Sequence, residues 1–272
     1  APARAAPAVS VLIARWGGVG GGALGTVPTT IVPAVAGMAA AQGEQELMDS
    51  LSVVPAGMLI NAIFLSVWIY LPRATASLGS ERSLAVTTAT ALLAWAMFGM
   101  VTILCIGELS EYGTGPRTIV MIGIALTAVF GIVLGWKPYE YPKGSREVSK
   151  SILLARGLMA ATAIGASVWV AGLGYPLLAG LASVFPAIFL TSMVSLWISQ
   201  GPSVPRGAAA PMLLGGGSVG VYSLVAMYSL EAHGIILGSI MSWVTAVAVW
   251  SMPSYIYLRW RTGVGDSRKV VS

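Results

Sequence analysis

Few side chains in this sequence could carry out chemistry, and they do not form the patterns that catalysis or metal binding requires. Cys105 is the only cysteine and His233 the only histidine. A disulfide within the chain and a Cys/His metal cluster are therefore excluded, and no two residues form a credible catalytic pair. The sequence predicts a protein that is not an enzyme and that has no catalytic residues, metal site or cofactor.

Two prolines interrupt long apolar runs. Pro28 stands in "GTVPTTIVPAVAGMAAAQG" and Pro186 in "LAGLASVFPAIFLTSMVSLWISQG". A proline inside a helix leaves a carbonyl without its donor, and in a bilayer that carbonyl must find a neighbour, water or a ligand. The hydroxyl groups beside the breaks predict a polar pathway; they belong to Thr26, Thr29, Thr30 and Ser183. Packing kinks without a transport role are the alternative, because proline is common in membrane helices.

Two further polar residues, Asp49 and Asn61, lie in the second apolar run. An ionisable group in a membrane is costly and often functional, although Asp49 stands close to Glu44 and Glu46 and could instead reach the interface. Asn61 is the only asparagine. Its amide needs partners, for which a neighbouring helix is favoured over a substrate. Both residues are included in the predicted pathway.

Two arginines end similar stretches, Arg15 in "LIAR" and Arg156 in "LLAR". Each side chain can extend along apolar surface to the membrane interface. We expect them to contact an anionic lipid headgroup, with an anionic substrate as the less favoured alternative.

The elements that must position these residues are transmembrane helices. Hydrophobic residues make up 56% of the 272 residues and charged residues 9%, whereas an ordinary soluble domain carries about 25% charged residues. Apolar runs of roughly 18 or more residues are typical of membrane helices, and barrel strands are excluded because the runs do not alternate in polarity. The sequence therefore predicts an all-α polytopic membrane protein.

Eight such segments are predicted, at residues 18–41, 47–71, 84–106, 118–136, 152–174, 176–198, 208–230 and 235–258. They give five regions: an N-terminal segment (1–17), a first transmembrane half (18–136), a basic connecting loop (137–151), a second transmembrane half (152–258) and a polar basic tail (259–272). The turn between the fifth and sixth spans falls on the sequence "GLGYP".

The distribution of positive charge supports this count. Fourteen of the fifteen Lys and Arg residues fall on the face that carries both termini, and only Arg117 falls on the other. Positive residues concentrate on the cytoplasmic side of membrane proteins. Both ends are therefore expected on the cytoplasmic, stromal or matrix side of a bacterial or organellar inner membrane. The formal charge of +5 reflects this topology, and no nucleic-acid partner is predicted.

The first and sixth spans share a pattern. Pro28 and Pro186 are each followed by Gln-Gly fourteen residues later, at an offset of 158 residues. The same offset matches span two with span seven and places Phe64 on Tyr222, which is included in the predicted pathway. Span three matches span eight if about eight residues are deleted. Coincidence among common small residues is the alternative to a duplication.

Spans one and six cross in opposite directions, so a duplication would be an inverted-topology repeat with both prolines near the bilayer midplane. Such repeats underlie many secondary transporters. The sequence thus favours a gradient-driven transporter of a small, neutral or weakly charged solute, since no nucleotide-binding motif is present. The alternative is a structural or assembly subunit of a larger membrane complex. The expected partners are the lipid bilayer and either further copies of the chain or neighbouring subunits.

Overall fold

The computed structural model describes residues 27–135 and 150–261. In these residues 90% of positions are helical and no β-strand occurs. The nine α-helices of the described residues are α1 Ile31–Ala41, α2 Glu44–Ala74, α3 Ser80–Glu111, α4 Pro116–Gly135, α5 Lys150–Gly172, α6 Pro176–Ser183, α7 Ala187–Gln200, α8 Ser203–Ala246 and α9 Met252–Arg261. A 3₁₀ turn follows α2, and a π-helical turn joins α8 to α9.

Five helical stretches are long and apolar enough to cross a bilayer, which indicates an integral membrane protein. They are Glu44–Ala74, Ser80–Glu111, Pro116–Val133, Pro176–Gln200 and Ser203–Tyr257. Two further apolar stretches, Ile31–Ala41 and Gly157–Gly172, are shorter. The count of eight spans stays a prediction, because residues 18–26 of span one lie outside the described residues.

Several helix boundaries in the structure differ from those predicted from the sequence. Span six is two helices, α6 and α7, separated by residues 184–186, and α8 begins at Ser203 instead of residue 208. Helix α9 continues to Arg261, which places the first three residues of the predicted tail in a helix. The turn after α5 occupies residues 173–175, inside the predicted "GLGYP". Residues 1–17 and most of the connecting loop lie outside the described ranges.

Helix α8 reverses direction at Gly234, whose φ of 75° and ψ of 172° are not helical. Glycine tolerates this positive φ because it has no Cβ. After the reversal the Ser229 hydroxyl lies 2.7 Å from the Ser242 hydroxyl, and the indole of Trp250 donates to the Leu214 carbonyl at 2.7 Å. The two parts of α8 therefore form an antiparallel hairpin, at the place where a loop between spans seven and eight was predicted.

Helix α2 forms the centre of the bundle. Its most apolar stretch is 72% buried, whereas that of α3 is only 17% buried. Buried side chains cover several sides of α2, including Leu51, Phe64 and Trp68. A helix that is apolar all round belongs in the interior of a bundle, and a long apolar helix with an exposed surface is suited to face lipid.

Contacts along α2 give the direction of the broken sixth span. The Ser50 hydroxyl lies 2.9 Å from the Pro176 carbonyl oxygen at the start of α6. Near the other end of α2, the ring centroids of Trp68 and Trp197 lie 6.1 Å apart. The broken span and α2 therefore advance in the same direction, so α6 and α7 run parallel to α2.

Helix α1 runs the opposite way. The Ser50 hydroxyl also lies 2.9 Å from Oε1 of Gln42, so the C-terminal end of α1 lies beside the start of α6. The chain then turns at Gly43 and enters α2. Helix α1 therefore ends at the end of the bundle where α6 begins.

Small residues allow α2 and α6 to approach closely. A Cβ atom on Gly180 would overlap the backbone carbonyl of Ser50, and one on Gly57 would overlap the Val184 side chain. Glycine at helix contacts allows backbones to approach in membranes, where van der Waals packing is a main source of association. These two glycines set the distance between α2 and the broken span.

Gly180→Ala should destabilise the fold, because the new methyl group meets backbone atoms of Ser50, which cannot rotate away. Overpacking of this kind costs roughly 1–3 kcal/mol. The thermal unfolding midpoint of the detergent-solubilised protein should fall clearly. Gly165→Ala on α5 is the matched control, since nothing lies within 4 Å of a Cβ atom there. Equal losses in the two variants would show that the α2–α6 contact is not tight.

Single cysteines in the turns on either side of α3 should react from opposite sides of the membrane. In a Cys105→Ser background, we expect Ser77→Cys, before α3, to react with an impermeant maleimide from the positively charged side. Thr114→Cys, after α3, should react only from the other side. Labelling of right-side-out and inverted vesicles measures this. Reaction of both cysteines from one side would mean that α3 does not cross the bilayer.

Candidate functional site

The break between α6 and α7 turns a backbone carbonyl out of the helical pattern. Helix α6 ends at Ser183 and α7 begins at Ala187. Most N–H groups in the gap bond locally: Val184 donates to Leu181 at 3.2 Å and Phe185 to Ala182 at 3.1 Å. Pro186 has no N–H to donate. The Val184 carbonyl is left to bond outside its own segment.

The other proline stands at the start of α1. Pro28 is buried, and residues 27–30 form a turn in which the Thr29 N–H donates to the Val27 carbonyl at 2.7 Å. Helix α1 begins at Ile31, directly after Thr30. Pro186 thus directly precedes α7, and Pro28 lies three residues before the first residue of α1.

The turn before α1 and the break between α6 and α7 meet at one cavity of about 70 Å³. Its walls come from the turn before α1, from α2, from the break and the first turn of α7, and from α8. The lining residues are Val27, Pro28, Thr30, Ile31, Met58, Asn61, Ser183, Val184, Phe185, Pro186, Ile188, Phe189, Gly216 and Val219. None of these side chains carries a charge.

Asn61 joins the cavity to the interior of the bundle. Its side chain is only 2% exposed. Its Nδ2 donates to the Val184 carbonyl at 2.9 Å, and its Oδ1 accepts from the Trp95 indole at 2.9 Å. An indole can only donate and a carbonyl can only accept, so the two partners fix the orientation of the amide. The Trp95 ring also meets Phe185 edge to face, with centroids 5.2 Å apart.

Five of the residues predicted from sequence line this cavity together, and three others whose side chains are described do not. Those at the cavity are Pro28, Thr30, Asn61, Ser183 and Pro186. Described residues away from its walls are Thr29, Asp49 and Tyr222. Thr26 and Arg15 lie outside the described residues. Arg156 lies in α5, whose backbone alone is described at that position.

Asp49 and Tyr222 have other surroundings. Asp49 is partly buried near the N-terminal end of α2, where its Oδ1 accepts from Gln45 Nε2 at 3.2 Å. It precedes Asn61 by twelve residues, or about 18 Å along the helix. Tyr222 is fully buried in the apolar core with Met38 and Met227. Asp49 therefore lies near the end of the bundle and Tyr222 in its apolar core.

The lining residues that the sequence reasoning missed are mostly apolar, and one signal could have found two of them. Twelve of the fourteen form six pairs, each separated by 158 residues: Val27 with Phe185, Pro28 with Pro186, Thr30 with Ile188, Ile31 with Phe189, Met58 with Gly216 and Asn61 with Val219. The other two, Ser183 and Val184, correspond to positions 25 and 26, outside the described residues. The offset would have given Ile188 from Thr30 and Val219 from Asn61, but not the pairs in which neither residue was predicted.

Comparison with known proteins gives no match: no family model, curated protein or solved structure aligns significantly with this chain. The function must therefore be argued from the cavity itself.

The hydrogen bonds of Asn61 can be tested by a double-mutant cycle. Asn61→Leu leaves the Val184 carbonyl and the Trp95 indole without their partner, and an unsatisfied buried group costs roughly 1–3 kcal/mol. Trp95→Phe removes one of the two bonds while retaining an aromatic ring. We expect both single variants to lower the unfolding midpoint, and the double variant to lose less than the sum of the two. Strict additivity would show that the two side chains do not interact.

Proposed function

We propose that this protein is a multi-pass membrane transporter that moves a small solute down or against its gradient by alternating access, driven by gradients and not by nucleotide hydrolysis. The observation that supports the proposal best is the pairing of the cavity walls. The turn that contains Pro28 and the break that contains Pro186 meet at one cavity, and twelve of its fourteen lining residues form pairs of positions separated by a constant 158 residues. Binding at the interface of two inverted repeats is typical of secondary transporters.

The helix directions support the same reading. From the cavity, α1 leads to Gln42, which is beside the start of α6. Helix α7 leads away in the other direction, to Trp197, whose indole donates to the Ser80 hydroxyl at 3.2 Å. The two helices that begin at the prolines therefore diverge towards opposite ends of the bundle, as two inverted copies would.

The turns that follow α2 and the first part of α8 also lie at corresponding positions of the two halves. Helix α2 ends at Ala74, and α8 reverses at Gly234, close to the position 158 residues further along. Gly79 before α3 has φ 81° and ψ 160°, and Gly234 has φ 75° and ψ 172°. These two glycines lie 155 residues apart. Aligning them requires a deletion of three residues, fewer than the eight or so expected from sequence.

The depth of the cavity fits a site that is opened to each side in turn. Asn61 lies 17 residues after the start of α2 and 13 before its end, or about 26 Å and 20 Å along the axis. A hydrocarbon core is about 30 Å thick, so these distances support a position of the amide near the middle of the bilayer. Two inverted copies that exchange conformations would expose such a site to one face and then to the other.

A cysteine at the cavity should react from both faces of the membrane. In a Cys105→Ser background, Thr30→Cys is expected to be modified by a small impermeant thiol reagent added to either side of sealed vesicles. Leu93→Cys is the control; Leu93 is 65% exposed on α3 and should face lipid, where a thiol stays protonated and unreactive. Reaction of Thr30→Cys from one face only, in every gradient applied, would contradict alternating access.

The alternative function, a structural or assembly subunit of a larger membrane complex, is favoured by the exposed apolar side of α3 and α4. Large side chains such as Leu93, Met97, Leu104 and Val133 are more than 60% exposed there. Lipid or protein could cover them. Native purification in mild detergent discriminates the two functions, because a subunit would retain fixed-stoichiometry partners and tolerate substitutions at the cavity.

A further inference from the structure

We infer that the cavity selects a small uncharged solute that donates hydrogen bonds, and that Asn61 is the residue that recognises it. This inference rests on the proposed transport function and names the substrate class of the same site. It is carried by three observations: the size of the cavity, the absence of charge among its described lining residues, and the hydrogen-bonding capacity left on its polar groups.

The size of the cavity limits the solute to a few atoms. A cavity needs at least roughly 10–15 Å³ to hold one water, and a water occupies about 30 Å³ in the liquid. The observed volume of about 70 Å³ is therefore enough for about two waters, or for one solute with a handful of non-hydrogen atoms. The aromatic and branched side chains of Ile31, Phe185 and Phe189 bound this space.

The charge distribution disfavours an ion. Along α2, the charged residues nearest to Asn61 are Asp49 and Arg73, each twelve residues away, or about 18 Å. Along α8, Arg206 and Glu231 are similarly far from Val219. An ion transferred from water into such surroundings loses its hydration without gaining a counter-charge, which is costly in a membrane.

The helix ends at the break do not replace the missing charge. The N-terminal end of α7 carries a partial positive charge, and the C-terminal end of α6 carries a partial negative charge. Both ends lie at the same gap of residues 184–186. Their effects on a bound ion therefore oppose each other, while a neutral dipolar solute can interact with both.

The polar groups at the cavity offer mainly acceptors. An asparagine oxygen has two lone pairs, and Trp95 uses one of those on Asn61. The Ser183 hydroxyl donates to the Gly180 carbonyl at 2.6 Å, so its remaining capacity is to accept. Thr30 adds a hydroxyl of its own. A solute bearing N–H or O–H groups matches these acceptors, as an amide, a urea or a polyol does.

The orientation of the Asn61 amide is also fixed before a solute binds. Its bonds to Val184 and Trp95 fix the plane of the group, so that no side-chain freedom is lost when a solute binds. A group fixed before binding contributes more to affinity and selectivity than a mobile one. Its counterpart at the same offset is Val219, which cannot form hydrogen bonds, so recognition depends on one side of the cavity.

The experiment measures solute entry into proteoliposomes containing the full chain, by stopped-flow light scattering. Urea and glycerol are the uncharged probes, and formate and methylammonium are ions of similar size. We expect urea or glycerol to enter well above the rate in protein-free vesicles, with ions at background. Asn61→Leu should lower that rate by about tenfold, in line with the loss of one favourable hydrogen bond.

Two further variants keep the result interpretable. Ile188→Trp fills the cavity without touching the bonds of Asn61 and should also abolish entry, even if Asn61→Leu folds poorly. Thr162→Ala is the control, because the Thr162 hydroxyl bonds only to the Leu158 carbonyl on exposed α5, and it should transport normally.

The possible negative results distinguish a failure of this inference from a failure of the proposed transport function. Entry of formate or methylammonium but not of urea or glycerol would overturn the inference and leave the transport function standing. Entry of urea or glycerol that survives Asn61→Leu would overturn the role of Asn61. Vesicles that are no more permeable than lipid alone to either class would overturn both the inference and the proposed function.

Discussion

The hydrogen bond from Asn61 to the Val184 carbonyl is the interaction on which the centre of this protein depends. A helix broken inside a bilayer exposes a backbone carbonyl that lipid cannot satisfy. Here α2 supplies the missing donor at 2.9 Å. Because that donor is itself fixed by Trp95 on α3, three parts of the bundle are held at one point, and the cavity has a defined wall.

This bond is possible only because the helices around it approach closely. An asparagine side chain is short, so α2 must lie almost against the break. Gly57, one turn before Asn61, leaves room for the Val184 side chain, and Gly180 allows the Ser50 backbone to approach α6. Close packing and polar satisfaction therefore depend on each other: larger residues at these glycines would separate the donor from its carbonyl.

The sequence predicted the helical membrane class, the interruption at Pro186 and the inward position of Asn61, because proline and a lone amide have strong local consequences in lipid. It could not say which side of each helix faces inward. A nearly uniform apolar helix has no polar stripe to orient it, so Thr29 and Thr30 were indistinguishable, although only Thr30 lines the cavity. Met58 and Phe189 were missed for the same reason, since apolar wall residues resemble apolar core residues.

Trp95 gives the molecule a built-in optical probe. Its indole is joined to the cavity wall through one amide and touches Phe185, a lining residue. Indole emission responds to the hydrogen bonding and the local electric field around the ring. The chain has nine tryptophans, so replacing the other eight by phenylalanine would leave one fluorophore adjacent to the cavity. Its emission wavelength would then report whether the cavity is empty or filled.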